Sequence, residues 1–338
     1  TPGSMPAFSK SIHEEGVLLN GFTVLKKNKI LEKKIIAEFK KGDFPSRDPL
    51  QNLNDIKAQI ASCKKGITEM KKIISSHSLS TVNKYVSFIN KNCTEVIDKI
   101  IKKIPKSSFA CTLDNGAVIK CNIKFDKNTK KLDIDFSDSS NLLSNNFNTP
   151  KAVTKSVVIY FLRTLVKDNI PLNEGALKNI NLIYSNESML NPKYPAPVVA
   201  GNVETSQTLI DILNGAISIQ AACYGTMSNI TFGDKNFGYY ETICGGEGAS
   251  LGNNGTDSVH CHMTNTSITD AEILEWNYPA RILKFSIRKN SGGNGRWKGG
   301  NGSIREIEFL KNLNLTILSN RRIVAPFGLK GGKKGKKG

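Results

Sequence analysis

The chain has 338 residues, with 47 Lys plus Arg against 29 Asp plus Glu, a formal charge of +18 and 39% hydrophobic residues. That apolar share, with 15 Phe and 8 Tyr, excludes wholesale disorder and is enough for a substantial core. The lysines are dispersed singly and in short pairs, as in KNKILEKKIIAEFKK, so the charge reads as a solvated surface and no nucleic-acid partner is expected; only the terminal KKGKKG is a basic cluster.

Seven cysteines, at 63, 93, 111, 121, 223, 244 and 261, form no close CxxC pair, which fits a reducing, cytoplasmic setting better than a disulfide scaffold. No run of 18 apolar residues offers a membrane span, and no membrane partner is expected. The opening TPGSMP reads as a turn-rich loop from a longer polypeptide, and residues 1–51 as a turn-rich and extended segment. Residues 52–104 read as helical. Ile56, Ile60, Ile67, Met70 and Ile74 share one stripe, Val82, Tyr85, Val86, Ile89, Val96 and Ile100 a second, and both are expected to pack. The break at SSHSLS places Ser78 or Ser80 as a helix cap, with His77 in the break and His13 in SIHEEG reading as solvent-facing.

From 105 to 338 an α+β core is expected, with mixed strands and helices and long glycine-rich polar loops. SFACTLD, AVIKCNIKFD and KLDIDFSD alternate apolar and polar residues, predicting antiparallel strands joined at DNG and DKNTK. A buried helix is predicted in TPKAVTKSVVIYFLRTL, and short strands in NINLIYS, ARILKFSIR, SIREIEFL and NLTILS.

Two polar strings stand out for their lack of lysine. In VAGNVETSQTLIDILNGAI, Thr205 or Ser206 is placed to cap a helix with Leu209, Ile210, Leu213 and Ile217 inward, leaving Asn202 and Glu204 at its mouth. In YYETICGGEGASLGNNGTDSVHCHMTNT the glycines imply tight turns or close backbone approach. If extended, His260 and His262 leave one face and can reach one metal or one polar substrate, with Glu241, Glu204 or an outside residue completing the set. The strings around Asn202, Glu241 and His260 are expected to converge on one cleft. In FSIRKNSGGNGRWKGGNGSIREIEFL, glycines shape a loop around Arg296 and Trp297 between two strands, where an arginine tying loops together is preferred to RNA contact. Neither GxxxxGK[ST] nor a strand-borne GxGxxG occurs.

The strings LNEGALKNI, MLNPKYPAPVVAGNVETSQ, GTMSNITFG, YYETICGGEGA, VHCHMTNTSITDAEILEWNYPARI, SGGNGRWKGGNGSIREIEF and NRRIVAPFGLKGG resemble the hydantoinase B family, most closely the C-terminal part of its eukaryotic 5-oxoprolinase-type members. The resemblance implies ATP-dependent opening of the 5-oxo-L-proline lactam to L-glutamate in glutathione metabolism. It implies a hydantoinase A type domain that handles ATP and Mg2+, in the same polypeptide or a partner chain, and a homo-oligomer when complete. In the family a His- and Asp-bearing segment precedes the TPGSMP stretch and supplies metal ligands, so a divalent metal in the complete site is implied and the isolated chain is expected to be inactive.

A lactam carbonyl is a poor electrophile, so activation by ATP must be followed by oriented attack of water. Glu204 or Glu241 is a candidate base, while Asn202, Gln207 and Asn265 are candidate amide donors to the substrate. Arg321 and Arg322 are candidates for a carboxylate or phosphate, or for salt bridges within the chain. Two alternatives stay open: a non-catalytic interaction or remnant module, and the alpha subunit of an ATP-dependent carboxylase.

Overall fold

A computed structural model describes residues 6–167, 170–171 and 173–338, so most of the TPGSMP stretch lies outside the described residues. A small hairpin, β1 (Leu25–Lys26) and β2 (Lys29–Ile30), leads into α1 (Glu32–Phe39). Two long helices follow, α2 (Pro49–His77) and α3 (Leu79–Ile101), broken at Ser78, whose φ of 69° a continuous helix does not allow. The Ser78 hydroxyl accepts from Thr81 N, one of the caps the sequence predicts.

This helical hairpin departs from expectation along its length. Leu53, Cys93, Ile97 and Ile101 are buried, whereas Ile67 is 56% exposed and Tyr85 is 62% exposed. Only the base of the hairpin meets the core, so much of each apolar stripe runs out into solvent. His77 and His13 are both exposed as expected, and His13 Nε2 lies 2.7 Å from the Tyr194 hydroxyl.

The principal sheet is built from β3 (Ser107–Thr112), β4 (Val118–Asp126) and β5 (Lys131–Asp135), then α4 (Lys151–Thr164) as a crossover, and β6 (Ile180–Ile183). Its order is β3-β4-β5-β6, antiparallel except for the parallel β5–β6 pair that the crossover makes possible. The period of two puts Ile119, Cys121, Ile123, Leu132 and Ile134 on one buried face, in the same core as Val157, Val158, Phe161 and Leu162 of α4. Each such aliphatic side chain contributes roughly 1.5–3 kcal/mol.

Packed into the same core is α5 (Ser206–Ala216), every residue of which is buried. The predicted cap is not there. A π-helical turn, Gly201–Thr205, runs directly into α5, with Ala200 before it, so Thr205 and Ser206 lie inside a continuous helix. Their hydroxyls instead donate to Phe147 O and Asn202 O. Close packing explains the widened turn's glycine: a Cβ on Gly201 would lie 2.3 Å from Asn148 O.

Beyond α5 come β7 (Asn229–Gly233), β8 (Gly238–Thr242), α6 (Ala271–Asn277), β9 (Ala280–Arg288), β10 (Gly302–Phe309) and β11 (Asn314–Leu318). They form a three-stranded sheet, β11-β7-β8, and a β9–β10 ribbon, with Phe232, Tyr239, Leu274 and Ala280 in a core between them. No helix among the described residues is long and apolar enough to cross a membrane.

Candidate functional site

The interior side of α5 is unusual in being polar. Glu204, Gln207, Thr208, Asp211 and Asn214 recur at helical spacing, and none is more than 3% exposed. Buried polar groups need partners, and here the partners are loops and the start of β7. Glu204 Oε1 accepts from Asn229 Nδ2 at 2.8 Å, and Gln207 Nε2 donates to Cys261 O at 3.2 Å and to Thr264 Oγ1. Asn320 Nδ2 donates to Thr208 Oγ1 at 3.4 Å. Asp211 accepts from Cys223 N at 3.0 Å and from Arg321 Nη2 at 3.1 Å. One helix face therefore fixes three loops that are remote in sequence.

Those loops, with the glycine-rich turns after β8 and β9 and the C-terminal strand-free segment, enclose a cleft of about 670 Å3. Its glycines serve close approach of backbone to backbone. A Cβ on Gly246 would stand 2.0 Å from Gly300 O, so the two glycine-rich strings can touch only in this form. Arg288, Arg296, Arg322, Lys330, Lys333 and Lys336 line the cleft, against the single carboxylate of Glu247 among its described lining residues. Glu247 accepts from Gln220 Nε2 at 3.3 Å and Thr256 N at 3.1 Å. The remaining lining arginines, Arg305 and Arg321, are held in buried ion pairs. The cleft is thus a cationic hollow suited to an anion.

Of the residues singled out from the sequence, Arg321 and Arg322 line this cleft, while Asn202, Glu204, Gln207, Glu241, His260, His262 and Asn265 do not. Arg321 is spent on Asp211, and Arg322 donates from Nε to Ser319 Oγ at 3.1 Å. Asn202 and Asn265 are exposed. Full burial drives the Glu204 carboxyl well above the usual range, against weaker lowering by Thr226 and Met227. Glu241 is buried with Arg305: Nε lies 2.8 Å from Oε1 but is poorly aligned for a hydrogen bond, and Nη2 donates to Oε2 at 3.1 Å. Tyr239 and Thr269 N also donate to Oε2, at 2.7 and 3.1 Å. These side chains therefore do not share the cleft: Glu204, Gln207 and Glu241 are consumed by partners in a packed polar framework, while Asn202 faces outward.

The two histidines separate. His262 has a φ of 52°, so the backbone is not extended there and the expected common face is lost. His260 has neither ring nitrogen hydrogen-bonded, and burial lowers its pKa while the charge of Glu241 opposes that. His262 instead reaches Cys223, with Nε2 3.1 Å from Sγ, and Tyr160, with Nδ1 3.3 Å from the hydroxyl. Asp211, Cys223 and His262 offer ligand atoms all within 4.8 Å of one another. Asp211 was within reach of sequence reasoning, since it continues the polar stripe of Glu204 and Gln207. Cys223 and Tyr160 carry no such signal, because only the fold brings them to His262.

The fold is shared with a solved structure: the ATP-dependent caprolactamase from Pseudomonas jessenii superposes with a TM-score of 0.79 at 20% identity, over 93% of this chain and 57% of that one. The chain belongs to the hydantoinase B/oxoprolinase family, whose model matches residues 1–338. It is 42% identical to the 5-oxoprolinase of Dictyostelium discoideum and 41% identical to 5-oxoprolinase 1 of Arabidopsis thaliana, in both cases over 100% of this chain. It spans only 27% and 29% of those relatives' lengths.

Proposed function

We propose that this chain forms the B-type part of an ATP-dependent enzyme that opens 5-oxo-L-proline to L-glutamate. The observation that carries the reading is similarity to 5-oxoprolinases along the entire chain. The cleft supports it physically, since 5-oxoproline carries a carboxylate and activation of its lactam oxygen adds phosphate charge, both matched by a cationic hollow. Within this reading, Arg322 contacts the substrate anion. Glu204, Gln207 and Glu241 position the loops, and Asn202 and Asn265 remain available to partner or substrate at the surface.

ATP and Mg2+ are assigned to a hydantoinase A type half, in the same polypeptide or a partner chain. ATP supplies the leaving group on the lactam carbon, and this chain orients the ring and excludes competing geometry. The test is the kinetic effect of Arg322→Ala in an enzyme carrying both halves. Loss of a substrate-anion contact raises the KM for 5-oxoproline at least tenfold with the KM for ATP unchanged, whereas unchanged constants remove Arg322 from the site. A carboxylase reading predicts bicarbonate-dependent turnover instead.

A further inference from the structure

The Asp211, Cys223 and His262 cluster lies beside the cleft and has no part in the chemistry assigned above. Its ligand atoms come from α5, from the loop after it, and from the turn following Cys261.

We propose that Asp211, Cys223 and His262 bind a thiophilic divalent cation of the zinc class. The donor set is the first argument: one sulfur, one imidazole and one carboxylate suit a d10 ion with its fourth position open, and do not suit the oxygen-seeking Mg2+ that accompanies ATP.

Outer contacts are the second argument. Tyr160 engages His262 Nδ1 at 3.3 Å, leaving Nε2 directed at Cys223. Gly248 N donates to Cys223 Sγ at 3.2 Å, and Arg321 holds Asp211 Oδ2 at 3.1 Å. Each of these three ligands therefore has a group that orients it, as ligands in metal sites do.

Distance is the third. Loading breaks the Cys223 S–H bond and forms one metal–sulfur bond, with the proton leaving to solvent. The Sγ to Nε2 separation of 3.1 Å must widen only to about 3.5 Å to seat an ion with ordinary zinc–sulfur and zinc–nitrogen distances. Since Cys223 also lines the cleft, the ion would tie the cleft wall to α5.

This inference does not depend on the proposed reaction, and its test reads metal directly. The full chain, treated with chelator and titrated with Co2+, is expected to bind one equivalent with thiolate-to-cobalt charge-transfer absorption that Zn2+ displaces. Cys223→Ser abolishes that absorption, and His262→Gln weakens binding at least tenfold. A folded chain without the absorption, or absorption retained in Cys223→Ser, overturns the proposal. Should the cysteine variant fail to fold, alkylation of the unaltered chain decides: Zn2+ protects Cys223 from iodoacetamide while exposed Cys63 still reacts. Equal alkylation of Cys223 with and without Zn2+ overturns it.

Discussion

Asp211 and Arg321 stand 110 positions apart in sequence and meet at 3.1 Å with side chains 1% and 3% exposed. Burial, the larger influence, pushes Asp211 up to about 6 despite the guanidinium beside it. Arg321 also has a φ of 67°, and a Cβ on Gly225 would fall 2.5 Å from its Nε, so the loop is shaped around this one pair. Removing either partner strands a buried charge. Asp211→Ala or Arg321→Ala is predicted to cost about 3–5 kcal/mol, measured by urea unfolding. The pair Asp211→Leu with Arg321→Met should cost less than the two single changes together, and simple additivity would show that the residues do not act as a unit.

Two glycine substitutions should have opposite signs. In Gly246→Ala the new methyl meets the Gly300 carbonyl at 2.0 Å, and about 1–3 kcal/mol of stability is lost. Gly66 lies within α2 with nothing within 4 Å of a built Cβ, so Gly66→Ala gains about 0.5–1 kcal/mol. Thermal unfolding of the two variants in parallel checks both, and equal shifts would contradict the packing described.

Glu204 predicts a pH dependence. Its folded pKa is raised, so the folded state holds a proton that the unfolded state releases above about 4.3. The group's stabilisation is thus present below that value and is lost as pH rises through the folded pKa, by about 1.4 kcal/mol per unit while the window lasts. Glu204→Gln removes the slope while retaining an acceptor for Asn229. Unfolding midpoints from pH 5 to 8 should show the variant gaining on the parent as pH rises; a constant difference would contradict a raised pKa.

Glu241→Gln separates two roles. With Arg305, Tyr239 and Thr269 all on its carboxylate, the substitution is predicted to cost about 3 kcal/mol while turnover per folded molecule in a complete enzyme stays near normal. A tenfold loss of turnover at unchanged stability would instead make Glu241 a base.

The periodicities of two and 3.6 were enough to place β3 to β5, α4 and the α2–α3 break, because in these elements local pattern and burial agree. They failed where the fold reverses the usual meaning of polarity. Glu204, Gln207 and Asp211 look like a helix mouth and a wet face, yet the loops that bury them come from residues 223–229, 261–264 and 320–321. Alternation likewise put His260 and His262 on one face, and the positive φ at His262 has no signature in the residue itself. The exposed stripe at Ile67 and Tyr85 shows the converse, an amphipathic helix whose apolar side the described residues leave open.

Product analysis of 5-oxo-L-proline incubated with ATP, Mg2+ and this chain joined to a hydantoinase A type half reads the proposed reaction directly. L-glutamate and ADP are expected in equal amounts, independent of bicarbonate, with none from this chain alone. A carboxylated product, or ATP hydrolysis that does not respond to 5-oxoproline, would contradict it.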